Sequence, residues 1–231
     1  MNELAKLPIA MDLPPEEPGP FAPCILLLDT SSSMTAQPGG TRPIDELNAA
    51  VKQFARDVRN DSLACNRADI TVIEFNSSAK QIVPPTLARD FIAPQLTANG
   101  LTAMGEAIEL GLEAIKTRRR EYRANGAQAY KPMMFLLTDG MPTDDWSSAA
   151  TEVHRLAAQG RLNFFAVGTS SADFDTLAQI APPDRPPMRV LDGRFPEMFR
   201  WISDSLSSIS GSIPGENVPL PPTQGWGEAA F

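Results

Sequence analysis

Short, nearly unbroken apolar runs separated by longer amphipathic stretches fill the middle of this chain, and that alternation leaves few ways to bury the apolar residues. Cys24-Ile25-Leu26-Leu27-Leu28, Met133-Met134-Phe135-Leu136-Leu137 and Asn163-Phe164-Phe165-Ala166-Val167 read as strands covered on both faces. Between them, Ile44, Leu47, Val51, Phe54 and Val58 recur at helical spacing, with Pro43 suited to the first helical position and Asp45 and Glu46 in the first turn. The sets Met104, Ile108, Gly111, Ile115 and Phe195, Met198, Ile202, Leu206, Ile209 predict two more helices, and Trp146, Ala149, Val153, Ala157 a further one stopped by Gly160. Ile70–Phe75 is followed by Asn76-Ser77-Ser78 and then Ala79–Val83, which reads as a hairpin ending in an edge strand. The pattern predicts an α/β fold: a Rossmann-like, doubly wound, mostly parallel six-stranded sheet with one antiparallel edge strand and helices on both faces.

At 231 residues, the chain suits one such domain with tails. Residues 1–22 and 211–231 are rich in Pro, Gly and Glu and are expected to form extended tails around a domain spanning 23–210. No apolar run reaches the roughly 18 residues of a membrane span, and no basic start leads into a hydrophobic leader, so a cytoplasmic protein is expected, with no membrane partner. The net charge of −8 argues against nucleic acid as a partner. Arg118, Arg119, Arg120 and Arg123 crowd the end of one predicted helix; a solvated helix end and a docking patch both fit them. The two cysteines, Cys24 and Cys65, are too few for a disulfide framework and are expected as thiols.

In open α/β sheets ligands bind beyond the carboxyl ends of the strands, and the polar residues of this chain gather there. The first strand runs into Asp29-Thr30-Ser31-Ser32-Ser33, a later one into Thr138-Asp139-Gly140, and Asn99-Gly100-Leu101-Thr102 leads into a helix. Each piece alone also fits a turn or helix cap. Taken together, Asp29, Ser31, Ser33, Thr102 and Asp139 form an oxygen-only set suited to a hard divalent cation, Mg²⁺ first, with Mn²⁺ or Ca²⁺ as alternatives. If the hydroxyls bind directly and the carboxylates act through water, the ion keeps charge enough to draw in a carboxylate from a partner. Asp139 is expected on a solvent-facing loop.

The D-x-S-x-S after an apolar strand, the Thr before a helix and the Thr-Asp-Gly after a later strand resemble the metal-ion-dependent adhesion site of von Willebrand factor A domains. By that resemblance Ser31, Ser33 and Thr102 are hydroxyl ligands and Asp29 and Asp139 the acidic positions. Ser32 and Leu101 stand where the family commonly has Gly. The run Lys131–Trp146, ending Pro-Thr-Asp-Asp-Trp, is similar to TerY-like proteins associated with tellurium resistance and stress response. That resemblance implies an adaptor whose partners include a protein kinase and a metal-dependent protein phosphatase.

Two other readings are set against this one. A haloacid-dehalogenase-like phosphotransferase or phosphatase would need a second Asp where Ser31 stands, no phosphate-binding Gly-rich loop is present, and the single histidine, His154, falls inside a predicted helix. An adaptor without enzyme activity is therefore expected. The remaining reading is a metal-free structural scaffold.

Overall fold

The computed structural model describes residues 19–35, 41–216 and 218–230. Strand β1 (Ala22–Asp29) is buried at all eight positions, as its unbroken apolar sequence requires. Helix α1 (Pro43–Asn60) starts at the expected proline and turns Ile44, Leu47, Val51, Phe54 and Val58 inward. A single turn, α2 (Ala64–Arg67), leads into β2 (Ala68–Phe75) and the hairpin partner β3 (Ala79–Leu87), whose Pro84 and Pro85 are tolerable only at an edge. The chain continues through α3 (Met104–Ala124), β4 (Met133–Thr138), α4 (Ser147–Ala158) and β5 (Asn163–Gly168). It ends with α5 (Phe174–Ile180), β6 (Met188–Val190), α6 (Phe195–Ser210) and β7 (Gly227–Ala229).

The strands form one seven-stranded sheet in the order β3-β2-β1-β4-β5-β6-β7, parallel except for β3 and β7 at its two edges. Helices α1 and α6 cover one face, and α3, α4 and α5 the other. The strand order reverses between β1 and β4, which places the ends of those two strands side by side at the crevice where such sheets take ligands.

Where six strands and one antiparallel edge are expected, there are seven and two. The extra strand comes from the segment expected to be an extended tail. Trp226 is buried against Trp201 with ring centroids 5.4 Å apart, and the Trp201 indole donates to the Pro221 carbonyl at 2.7 Å. An indole anchor thus brings Gly227–Ala229 alongside β6. The Pro-rich N-terminal segment lies outside the described residues up to residue 18; at its end Phe21 and Ala22 are buried, with Phe21 stacked on Tyr122. Arg118 also departs from a solvated helix end, since it pairs with the buried Asp69 at 2.5 Å and with Glu121 at 2.8 Å. His154 sits in α4 with Nε2 2.9 Å from the Ala181 carbonyl, a packing role.

Trp226→Ala should therefore destabilise the domain by about 3 kcal/mol in chemical denaturation. Trp226→Phe, which discards a buried indole N–H that has no partner among the described residues, should cost far less. Equal and negligible effects would mean that the last strand contributes nothing to stability.

Candidate metal centre

The carboxyl ends of β1 and β4, with the loop that leads from β3 into α3, bring all five candidate ligands to one place. Asp29 closes β1 and is fully buried; its Oδ1 accepts from the Ser31 backbone N–H at 2.8 Å and its Oδ2 from the Thr138 hydroxyl at 2.6 Å. The chain then enters a short 3-10 turn, Ser32–Thr35, that swings Ser33 back over the strand end. The Ser33 hydroxyl donates to Asp139 Oδ1 at 2.7 Å and lies 2.9 Å from the Ser31 hydroxyl. A Cβ placed on Gly140 would sit 3.6 Å from Thr102 Oγ1 and 3.7 Å from Ser33 Oγ, so the hydroxyls of two separate loops converge over this glycine. Asp139 is only 4% exposed, so the solvent-facing position expected for it is wrong. The β4 strand runs straight into it, and Ser33 closes over its carboxylate.

The loop carrying Thr102 is held by residues to which no function was assigned from sequence. Asn48, the buried polar residue of α1, clamps it: its amide donates to the Leu96 carbonyl at 2.9 Å while its carbonyl oxygen accepts from Leu96 N–H at 2.8 Å. Further along, Ser32 N–H donates to the Gly100 carbonyl at 3.1 Å and Asn99 N–H to the Thr30 carbonyl at 2.8 Å. Gly100 has φ +74°, and a Cβ there would meet Ser77 Oγ at 2.4 Å, so this loop places its glycine one residue before Leu101. At the neighbouring departure from the family pattern, Ser32 is exposed and without positive φ, so its side chain is accommodated in solvent.

Thr102 is not the cap of α3. That work falls to Asp144, whose carboxylate accepts from the N–H groups of Gly105 and Glu106 at 3.1 and 2.9 Å. Thr143 zips the same loop to Thr102: its hydroxyl accepts from Thr102 N–H at 3.1 Å, and its N–H donates to the Thr102 carbonyl at 2.9 Å. Thr102 Oγ1 is thereby left with no hydrogen-bond partner among the described residues.

A model of the von Willebrand factor type A domain matches residues 24–198 of the 231. The chain belongs to the von Willebrand factor type A domain family. Solved structures agree in fold. A von Willebrand factor type A protein from Catenulispora acidiphila superposes with a TM-score of 0.58 at 18% identity, over 82% of this chain and 43% of that one. The pilus adhesin SpaC from Lactobacillus rhamnosus GG gives 0.62 at 17% identity, over 82% and 31%. Proximal thread matrix protein 1 from the mussel byssus, with a zinc-occupied metal-ion-dependent adhesion site, gives 0.53 at 18% identity, over 80% and 48%. This chain thus spans less than half the length of each. Comparison with curated proteins returns no match. Domains of this family often mediate metal-dependent protein interactions and typically bind a divalent cation.

The electrostatics of this von Willebrand factor A domain fit such an ion. Burial drives the Asp29 carboxyl from 3.8 up to about 6, against the hydrogen bonds from Ser31 and Thr138, and the nearby Asp139 charge adds to the rise. Burial likewise raises Asp139 against its bond from Ser33. Among the described residues neither carboxylate has an ion pair with Lys, Arg or His, and no cluster of three or more His, Cys, Asp or Glu is formed. Two buried carboxylates without a cationic side chain, set among three hydroxyls, are a donor set for a hard cation.

The same imbalance predicts a pH effect. With a folded pKa above its unfolded value, Asp29 takes up a proton on folding; the stability this contributes is present below about 3.8 and is lost as pH rises through about 6. The loss is on the order of 3 kcal/mol. In excess chelator, the parent should weaken relative to Asp29→Asn between pH 4 and 7 in denaturation curves, and Mg²⁺ should reverse the loss. Parallel curves would mean that Asp29 is not an uncompensated carboxylate.

Proposed function

We propose that this domain binds a protein partner through a divalent cation held by Asp29, Ser31, Ser33, Thr102 and Asp139, with an Asp or Glu of the partner completing the site. The observation that carries the proposal is the pair of buried carboxylates with no cationic side chain of their own among the described residues, beside three converging hydroxyls. When bound, Mg²⁺, or Mn²⁺ or Ca²⁺ in its place, supplies a positive charge with a position open to an anion. Ser31, Ser33 and Thr102 give neutral oxygens, so that much of this charge is left for the partner. Asp29 orients the Ser31 end of the loop, and Asp139 orients Ser33.

The rim of the site suits a protein surface. Leu101 and Met141, next in sequence to Thr102 and Gly140, are 60% and 65% exposed and give a desolvating border to a central charged contact. A setting in tellurium-resistance or stress-response signalling in the cytoplasm, with a kinase and a metal-dependent phosphatase as partners, is supported by the similarity of Lys131–Trp146 to TerY-like proteins. Among the described residues, no helix is long and apolar enough to cross a membrane. An adaptor without phosphotransfer chemistry agrees with the placement of His154 in α4, bonded to Ala181. Phosphoester turnover should stay at background with and without Mg²⁺.

Calorimetric titration with Mg²⁺ should show binding that Asp139→Ala and Thr102→Ala each weaken by at least about tenfold. The fold should survive both changes, since among the described residues one removes a buried charge with no cationic partner and the other a hydroxyl with no hydrogen-bond partner. Capture of a partner by the full chain should then fail in chelator, return with Mg²⁺, and fail again with Thr102→Ala. Undiminished Mg²⁺ binding by both variants would overturn the ligand assignment. Undiminished partner capture with the metal removed would overturn the function.

A further inference from the structure

A groove lies between the last turns of α3 and α4, away from the five candidate ligands. From Met104 to Arg120, α3 rises about 25 Å away from the Thr102 loop, and its last turns face α4 across a groove of about 440 Å³. The floor is apolar, made by Leu112 and Leu156 with Ile115 and Leu162 beneath. At the metal-facing end two of the groove's acids are ion-paired, Glu113 with Lys116 at 3.0 Å and Glu152 with Arg155 at 2.6 Å, and feel the more distant charges of Arg120 and Arg161, while Glu109 accepts only from the Ser148 hydroxyl at 2.8 Å. Beyond them stand Arg119, Arg120, Arg123 and Arg161, none of which makes an ion pair among the described residues.

A few cations at a helix end complement its carbonyls, and that alone would need no ligand. Here the guanidinium groups crowd one another instead. Burial together with the nearby charges of Arg161 and Arg123 holds Arg119 below its ordinary value. The three also line a neighbouring cleft of about 730 Å³, where Lys131 and Arg185 add cations against a single acid, Glu216. In a chain of net charge −8 this concentration of unpaired positive charge is local. The overall charge opposes a long polyanion, whereas a short segment can match the charge at one place and fill the apolar floor as well.

We infer that the groove between α3 and α4 docks an acidic, leucine-containing peptide segment of a partner protein, its carboxylates on Arg119, Arg120, Arg123 and Arg161 and its apolar side chains on Leu112 and Leu156. Arg guanidinium groups suit carboxylates by their paired donors, and an apolar floor lowers the local dielectric around them.

The test is fluorescence anisotropy of a short labelled peptide of Glu and Leu with the full chain, in excess chelator to silence the metal site. Saturable binding is expected, weakened by added salt and by at least about tenfold in the double variant Arg119→Ala/Arg123→Ala. Arg161→Ala and Arg123→Gln, at exposed positions, keep the result readable if the double variant folds poorly, and each should weaken binding in the same direction. The peptide with Gln for Glu should bind far less. Equal binding of the Gln peptide, parent-like affinity in all the variants, or tighter binding of a single-stranded oligonucleotide would overturn the proposal.

Discussion

A carboxylate fully buried at the end of β1, with no cationic side chain among the described residues to answer it, sets the terms for the rest of this molecule. Asp29 lies where the strand order turns back on itself, so the loops that close over it must come from β1, from β4 and from the connection after β3. Those loops bring neutral donors only, a backbone N–H and the hydroxyl of Thr138. The contrast with Asp69 is instructive. At the start of β2 that residue is equally buried, but Arg118 and the Tyr122 hydroxyl both bond its Oδ2, so its charge is answered within the chain even though its Oδ1 has no partner among the described residues. One buried acid is a structural pair; the other, with Asp139 beside it, has no cationic partner among the described residues.

Much of this was legible in the sequence because it depends on local periodicity and on residues next to strand ends. The apolar stripes of α1, α3 and α6 are the buried faces, and the five candidate residues lie close together as their order along the chain implied. The parts that were not legible are contacts between distant segments. Nothing adjacent to Asn48 marks it as the clamp on Leu96, and nothing around Trp226 announces that an indole would seat on Trp201 and add a strand. The burial of Asp139 follows from Ser33 folding over it, a contact between residues far apart in the chain. Arg118 could not be told from its arginine neighbours until α3 was laid beside β2.

The two ends of α3 carry opposite chemistry, and the charge layout keeps them apart. At the start of the helix, uncompensated carboxylates favour a cation and, through it, an anion; at the other end, unpaired arginines favour an anion directly. Both features would be neutralised cheaply if they were adjacent. Separation by the length of a rigid helix prevents that collapse, which a flexible linker would not.

The helix start also explains how a threonine hydroxyl is left free of capping. A hydroxyl just before a helix ordinarily bonds the free N–H groups of the first turn and has little left for anything else. In this chain those N–H groups are taken by Asp144, and Thr143 holds the Thr102 backbone by a reciprocal pair of hydrogen bonds. Gly105 makes the close approach possible, since a Cβ there would lie 2.3 Å from the Asp145 carbonyl oxygen. The Pro-Thr-Asp-Asp-Trp run therefore has a physical role apart from any family likeness. It takes over the capping of α3 from a distant loop, fixes the backbone of Thr102, and leaves the Thr102 hydroxyl free beside Gly140, where the Ser33 hydroxyl also converges.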